Sequence, residues 1–189
     1  MGIREIAMTR KLISRKDIEK SKCPFDTVYE FICDLVAESN NVEFKKLPFG
    51  FTLVYPIIEL DSEILNGGFW QYMSNNTNDN TGEIKAVDAA SSSLKTMGAY
   101  NHATLVGKSY ECWSHFADLL ARDMSATVQS KEGTAAVKCL KRLDKIYYCT
   151  RDEMVDTINK YIMSHLDDFT YERPLGMPKR SRRRSDDDH

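Results

Sequence analysis

One interruption in this chain limits the folds open to it more than any other feature. Residues Glu59 to Leu65 form an acidic and apolar run of helical character, Asn66-Gly67-Gly68 breaks it, and Phe69-Trp70-Gln71-Tyr72-Met73-Ser74-Asn75 resumes with aromatics. Glycine has no Cβ to clash at positive φ, and Asn tolerates that region, so the sequence predicts a left-handed turn that ends one helix. The aromatics that follow can then pack back on the helix just ended. Trp70 and Tyr72 stand two apart and are expected to divide between core and surface, because that spacing does not share a helix face.

Around this break, helical signals outnumber strand signals. Asp26 is expected to cap a helix running to about Asn40, with Val28, Phe31, Ile32 and Leu35 at helical spacing. A second helix is expected from Pro56, where a missing N–H does no harm, to Leu65; Phe49 to Tyr55 reads either as part of it or as an extended lead-in. The short aromatic helix from Phe69 should end in the polar run Asn75 to Gly82, which reads as a loop. Ile84, Val87, Leu94 and Met97 predict a helix from Glu83 to Met97, with Gly98 as its stop. Leu105, Tyr110, Trp113, Phe116 and Leu120 predict another from Asn101 to Met124.

After a loop, a helix is expected from Thr134 to Tyr148, and Thr150-Arg151-Asp152-Glu153 reads as a capping box opening a last one. About seven helices with short connections predict an all-α, single-domain bundle over residues 23–170. Residues 1–22 read as a basic N-terminal segment. Residues 171–189, with Pro174, Pro178 and a Lys/Arg/Asp-rich end, read as a disordered charged tail that cannot bury enough apolar area to offset its ordering entropy.

Charge is segregated along the chain. The total is only -2, yet 14 basic and 22 acidic residues lie between Cys23 and Pro178, a net of -8 flanked by basic ends. Composition, 42% hydrophobic and 29% charged, is that of a soluble globular protein, and no apolar run approaches the roughly 20 residues that span a bilayer. The start lacks a signal-peptide core, so the expected setting is cytoplasmic and away from membranes. The five cysteines form no Cys-x-x-Cys pair and are expected to be mostly small core residues in a reducing compartment.

Signatures of catalysis are missing from the sequence: no glycine-rich phosphate loop, nucleophile elbow, His-Glu-x-x-His or spaced Cys/His zinc set is present. Neither a cofactor nor a metal is expected. Glu59 and Glu63 should share a helix face, and with Asp61 they could attract a basic partner; the alternative is a solvated face that offsets a helix dipole. Asn66 and Gln71 could bind a ligand through their amides or satisfy backbone groups at the helix junction.

At these residues the chain resembles the bacterial DNA-mimic-protein-like family. The resemblance rests on an acidic helix ending in Asn-Gly-Gly-Phe and followed by a Gln and an aromatic, matched by Glu63, Asn66, Gly67, Gly68, Phe69, Gln71 and Tyr72, and it extends from about Phe49 to Phe116. It implies an all-α protein, a homodimer, and an acidic surface that imitates DNA phosphates to occupy a transcriptional repressor. It implies a structural duty for the motif itself.

The leading expectation is therefore a non-enzymatic interaction protein that binds a basic or DNA-binding protein, with Glu59, Asp61 and Glu63 as candidate contacts. The alternatives are a nucleic-acid-associated protein using Arg180, Arg182, Arg183, Arg184 and the basic N-terminal segment, and an enzyme with a pocket beside the Asn-Gly-Gly-Phe motif.

Overall fold

The computed structural model describes residues 13–38, 47–77, 85–120 and 131–171, with the side chains of 38, 116–120 and 131–132 outside the description. All of the named elements are helical: α1 (Arg15–Lys20), α2 (Pro24–Glu38), α3 (Phe49–Asn76), α4 (Lys85–Thr96), α5 (Tyr100–Leu120), α6 (Lys131–Ser164) and a 3-10 turn (Leu166–Phe169). The all-α expectation holds, with six α-helices among the described residues where about seven were expected. No described helix is long and apolar enough to cross a membrane.

One expected boundary does not exist, and one left open falls inside a helix. Thr150 was expected to cap a new helix, but α6 runs without a break for 34 residues, about 51 Å at 1.5 Å per residue. The Thr150 hydroxyl contacts the Ile146 carbonyl at 2.9 Å and His102 Nε2 at 3.0 Å, so its polarity ties α6 to α5 and caps nothing. Phe49 to Tyr55, which the sequence left open between helix and extended lead-in, is helical, so Pro56 lies inside α3, whose only non-helical backbone is at Gly67 and Gly68. The apolar run Phe51, Leu53, Val54 and Ile57, all buried, outweighs the local preference of the residue before proline for extended backbone.

Other signals lie where the sequence put them or close by. Gly98 adopts φ +88° and stops α4, while Ala99 N–H bonds the Leu94 carbonyl at 2.8 Å. α2 starts at Pro24 and not at Asp26, because Asn159 of α6 supplies the acceptor: its Oδ1 takes the Phe25 N–H at 2.7 Å. Asp26 stands in the first turn, where its charge favours the helix N-terminus. Phe116, Leu120 and the loop from Asn78 to Gly82 lie outside the described residues or side chains.

The long α6 is the spine of the bundle, packed against α5, α3 and α2, while α4 lies against α5 and α3. Its core stripe is Leu140, Leu143, Tyr147, Met154, Ile158 and Ile162, all buried. The described ends meet: Ile13 and Tyr171 exchange backbone hydrogen bonds of 3.1 and 2.9 Å, and Ile18 is fully buried. Ser14 and Asp17 form a capping box on α1, and the Ser14 hydrogen bonds hold the Asp17 carboxyl below its ordinary range. Residues 13–22, assigned by sequence to the basic N-terminal segment, thus carry two core side chains.

The cysteines differ from expectation. Cys112 of α5 and Cys139 of α6 form a disulfide, Cys23 is half-buried, and Cys33 and Cys149 are exposed. Cys33 and Cys149 fall on outward faces of their helices, whereas the apolar stripes of α2 and α6 fill the core without them.

Candidate functional site

The break in α3 is a built junction. Gly67 has φ -153° and ψ 16°, and Gly68 has φ 75° and ψ -173°, a combination open to glycine alone. A Cβ on Gly68 would also stand 2.6 Å from an oxygen of the Asp144 carboxylate, so the close approach of α6 needs glycine for a second reason. Ending one helix and starting another leaves backbone carbonyls and N–H groups without intrahelical partners. α6 supplies them. Asp144 Oδ1 accepts the Phe69 N–H at 2.7 Å, and Tyr148 Oη donates to the Ile64 carbonyl at 2.7 Å.

Beneath the break lies a buried polar cluster. Asp61 is 1% exposed and was expected among partner-binding carboxylates; it is instead held inside the fold. Arg151 meets it bidentately, Nε to Oδ1 and Nη2 to Oδ2, both at 2.7 Å, and Tyr147 Oη donates to Oδ1 at 2.8 Å. The carboxylate raises the Arg151 pKa above its ordinary value, mainly through these hydrogen bonds. Burial, then the Asp61 charge, does the same to Tyr147. Phe69 stacks edge-on against Tyr147 with centroids 5.8 Å apart, which fixes the first aromatic after the glycines over this cluster.

The remaining motif residues splint the two halves of α3. Glu63 Oε2 accepts from Gln71 Nε2 at 2.6 Å and from Asn75 Nδ2 at 2.9 Å, so one carboxylate before the break holds two amides after it. Gln71 is thereby engaged inside the protein, while Asn66 is exposed. Tyr72 is 1% exposed and its hydroxyl has no hydrogen-bond partner among the described residues; burial and the charges of Glu59 and Glu63 raise its pKa. Trp70 is half-buried, edge-on to Trp113 at 5.1 Å. Glu59 is exposed and accepts a hydrogen bond from Tyr55 Oη.

Sequence reasoning passed over the four α6 residues that complete the junction. Asp144, Tyr147, Tyr148 and Arg151 stand at i, i+3, i+4 and i+7, the spacing of one helix face, and that spacing was the signal available. It was hidden by the helix boundary expected at Thr150.

An open depression of about 150 Å³ is lined by Gly98, Ala99, Tyr100, Asn101, His102, Glu153 and Thr157, none of them a motif residue. Burial holds the pKa of His102 below its ordinary value. Among the described residues no group of three or more His, Cys, Asp or Glu side chains is placed to hold a metal ion. Arg180, Arg182, Arg183 and Arg184 lie outside the described residues.

Comparison with curated proteins and with solved structures finds no match. The family of DMP19-like proteins, however, matches residues 45–165, a span that holds the whole of α3 to α6 and so both the glycine break and the α6 residues that close it, while α1 and α2 lie outside it. With well over half its length matched, the chain belongs to the DMP19-like protein family.

Proposed function

We propose that the protein is a non-enzymatic, acidic interaction protein, a DNA mimic that binds a DNA-binding protein such as a repressor in the cytoplasm and lowers its hold on DNA. Family membership supports the reading, and the observation that carries it is a set of outward carboxylates at four-residue spacing. Asp26 and Glu30 are exposed four apart on α2 and Glu59 is exposed on α3, whereas Glu63, half-buried, is engaged by Gln71 and Asn75 across the break. Tyr29 and Ser62, neighbours of Glu30 and Glu63 in sequence, join the two helices through a hydrogen bond of 2.7 Å. Carboxylates four apart on a helix repel one another by a few tenths of a kcal/mol. A surface that evolution leaves in that state gains when lysines or arginines arrive, the same gain a DNA-binding face obtains from phosphates.

Competition is the test. The full chain is immobilised, DNA-binding proteins of its native cell are captured on it, and duplex DNA or salt is then added. The expected result is release by duplex DNA, and by raising salt from about 50 to 200 mM, the range over which phosphate-type contacts lose most of their affinity. Capture indifferent to both would overturn the reading.

A further inference from the structure

Lys138, Lys141, Arg142 and Lys145 are exposed on α6. Two pairs of them stand three apart and two pairs four apart, so like charges meet repeatedly within about 10 Å of helix, and each meeting opposes the helix. At about 100° per residue all four fall on the side away from the buried stripe of Leu140, Leu143 and Tyr147. None forms an ion pair among the described residues. Asp144, the acid that lies between them in sequence, is turned to the Phe69 N–H. α5 adds a fifth positive charge. His102 meets Thr150 and Cys112 meets Cys139, so α5 runs antiparallel to α6 in a register that brings Lys108 level with Leu143. Lys108 is exposed and, four residues before Cys112, stands on the side of α5 nearest α6. At the other edge of the patch Tyr148 is 48% exposed. Its hydroxyl donates to the Ile64 carbonyl, which seats the ring beside Leu65, itself 50% exposed.

We propose that this face binds single-stranded nucleic acid, with phosphates on Lys108, Arg142, Lys145 and Lys141 and a base on the Tyr148 ring. Basic side chains left to repel one another gain from phosphates that neutralise them. Asp152, Glu153 and Asp156 are exposed farther along α6, so the strand crosses the helix and does not follow it. Glu111, exposed one turn after Lys108, limits the contact on α5. Elsewhere the net charge of -8 on the body repels a polyanion, which confines the strand to this face. An acidic peptide would satisfy the charges and leave the ring unused. A duplex keeps its bases stacked on one another and offers none to Tyr148, whereas a single strand stacks on exposed aromatic rings while a basic surface tracks its backbone. None of these residues is among the carboxylates proposed to meet a DNA-binding partner.

The test is fluorescence anisotropy of a labelled single strand of about 12 nucleotides, titrated with the full chain at about 50 mM salt. The expected Kd is about 10⁻⁴–10⁻⁶ M. With about four phosphates neutralised, log K should fall with log salt at a slope of about -3. Lys141→Glu with Lys145→Glu should weaken binding by at least about tenfold and roughly halve that slope. Tyr148→Leu should weaken it about tenfold, while Tyr148→Phe, which keeps the ring and loses the bond to the Ile64 carbonyl, should bind as the parent does. The same losses are expected in a full-length chain carrying Arg180→Ser, Arg182→Ser, Arg183→Ser and Arg184→Ser; binding abolished by those four changes alone overturns the proposal. So does a strand left unbound by about 1 mM chain, ten times the weakest Kd expected, or one held as tightly after the double reversal. Equal losses in Tyr148→Phe and Tyr148→Leu, or duplex DNA or polyglutamate bound as tightly as the strand, also overturn it.

Discussion

At the scale of single residues, the weight falls on two contacts that α6 makes with α3. Asp61 and Arg151 form an ion pair whose members are not equivalent, since the carboxylate is 1% exposed and the arginine side chain 27%. Removing one partner of a buried pair costs about 3–5 kcal/mol, because the other charge stays buried and uncompensated. Arg151→Met strands Asp61 with Tyr147 alone, so it should approach that cost in urea unfolding. Asp61→Asn leaves a guanidinium that can turn toward water, and its cost should be smaller by about 1 kcal/mol or more. Equal losses would show that Asp61 is not held as described. Gly68 is the second point. Gly68→Ala must adopt φ 75° and ψ -173° beside the Asp144 carboxylate, and should lose at least about 2 kcal/mol. Asp144→Ala removes the acceptor of the Phe69 N–H and should cost about 1–3 kcal/mol. Asp144→Asn keeps an acceptor and removes the charge whose burial raises the aspartate pKa, so its loss should be much the smaller of the two.

At the scale of elements, what the sequence disclosed and what it hid have the same origin. Gly98 and the Gly67-Gly68 break were legible because backbone sterics are local, and the apolar spacing of α2 and α4 was legible because it repeats within the helix. The run through Pro56 and Thr150 was not legible, since there packing overrides a local preference: Ile57 and Leu60 are buried just beyond the proline, and Thr150 is drawn sideways to His102. Nor was Asp61 legible as an interior group. Its place in an acidic run marked it for the surface, and its partner lies 90 positions away. Proline inside a helix costs about 3 kcal/mol relative to alanine, offset by roughly 0.4–1 kcal/mol from its stiffening of the unfolded chain. Pro56→Ala should therefore stabilise the protein by about 2–2.6 kcal/mol. A loss of stability in thermal or urea unfolding would mean that Pro56 sets a bend the core depends on. The α5–α6 tie has its own signature, because burial holds His102 below its ordinary pKa of 6.5. The unfolded chain then binds a proton that the native one refuses. Stability is complete above about pH 6.5 and falls as pH drops toward the lower native pKa. In His102→Gln that part of the acid-side slope in melting temperature should vanish.

At the scale of the whole molecule, the fold and the proposed function place opposite demands on the same carboxylates. Inside, charge is compensated at once: Asp61 has Arg151, and Glu63 has two amides. Outside, Asp26 and Glu30 stand four apart on α2 within a body of net charge -8. Asp26 already gains from the helix N-terminus and from the Arg151 charge, but a base at position 30 would compensate it further and spoil a surface meant to look like phosphate. Glu30→Lys tests the conflict. An acid followed four residues later by lysine is the favourable helical order, so the change turns a repulsion into an attraction. It should stabilise the protein by a few tenths of a kcal/mol, up to about 1 kcal/mol. The same change removes one negative charge and adds a positive one on the proposed partner face, so the captured DNA-binding protein should bind more weakly and with a shallower dependence on salt. Lys160→Glu, at an exposed position of α6, is the control and should leave that partner's affinity unchanged. A variant that gains stability while losing its partner is the pattern of a surface kept for function at the expense of the fold. If Glu30→Lys gains stability and binds as before, the mimic surface does not lie on α2. If it loses stability, the Asp26–Glu30 pair is not the repulsive contact its spacing indicates.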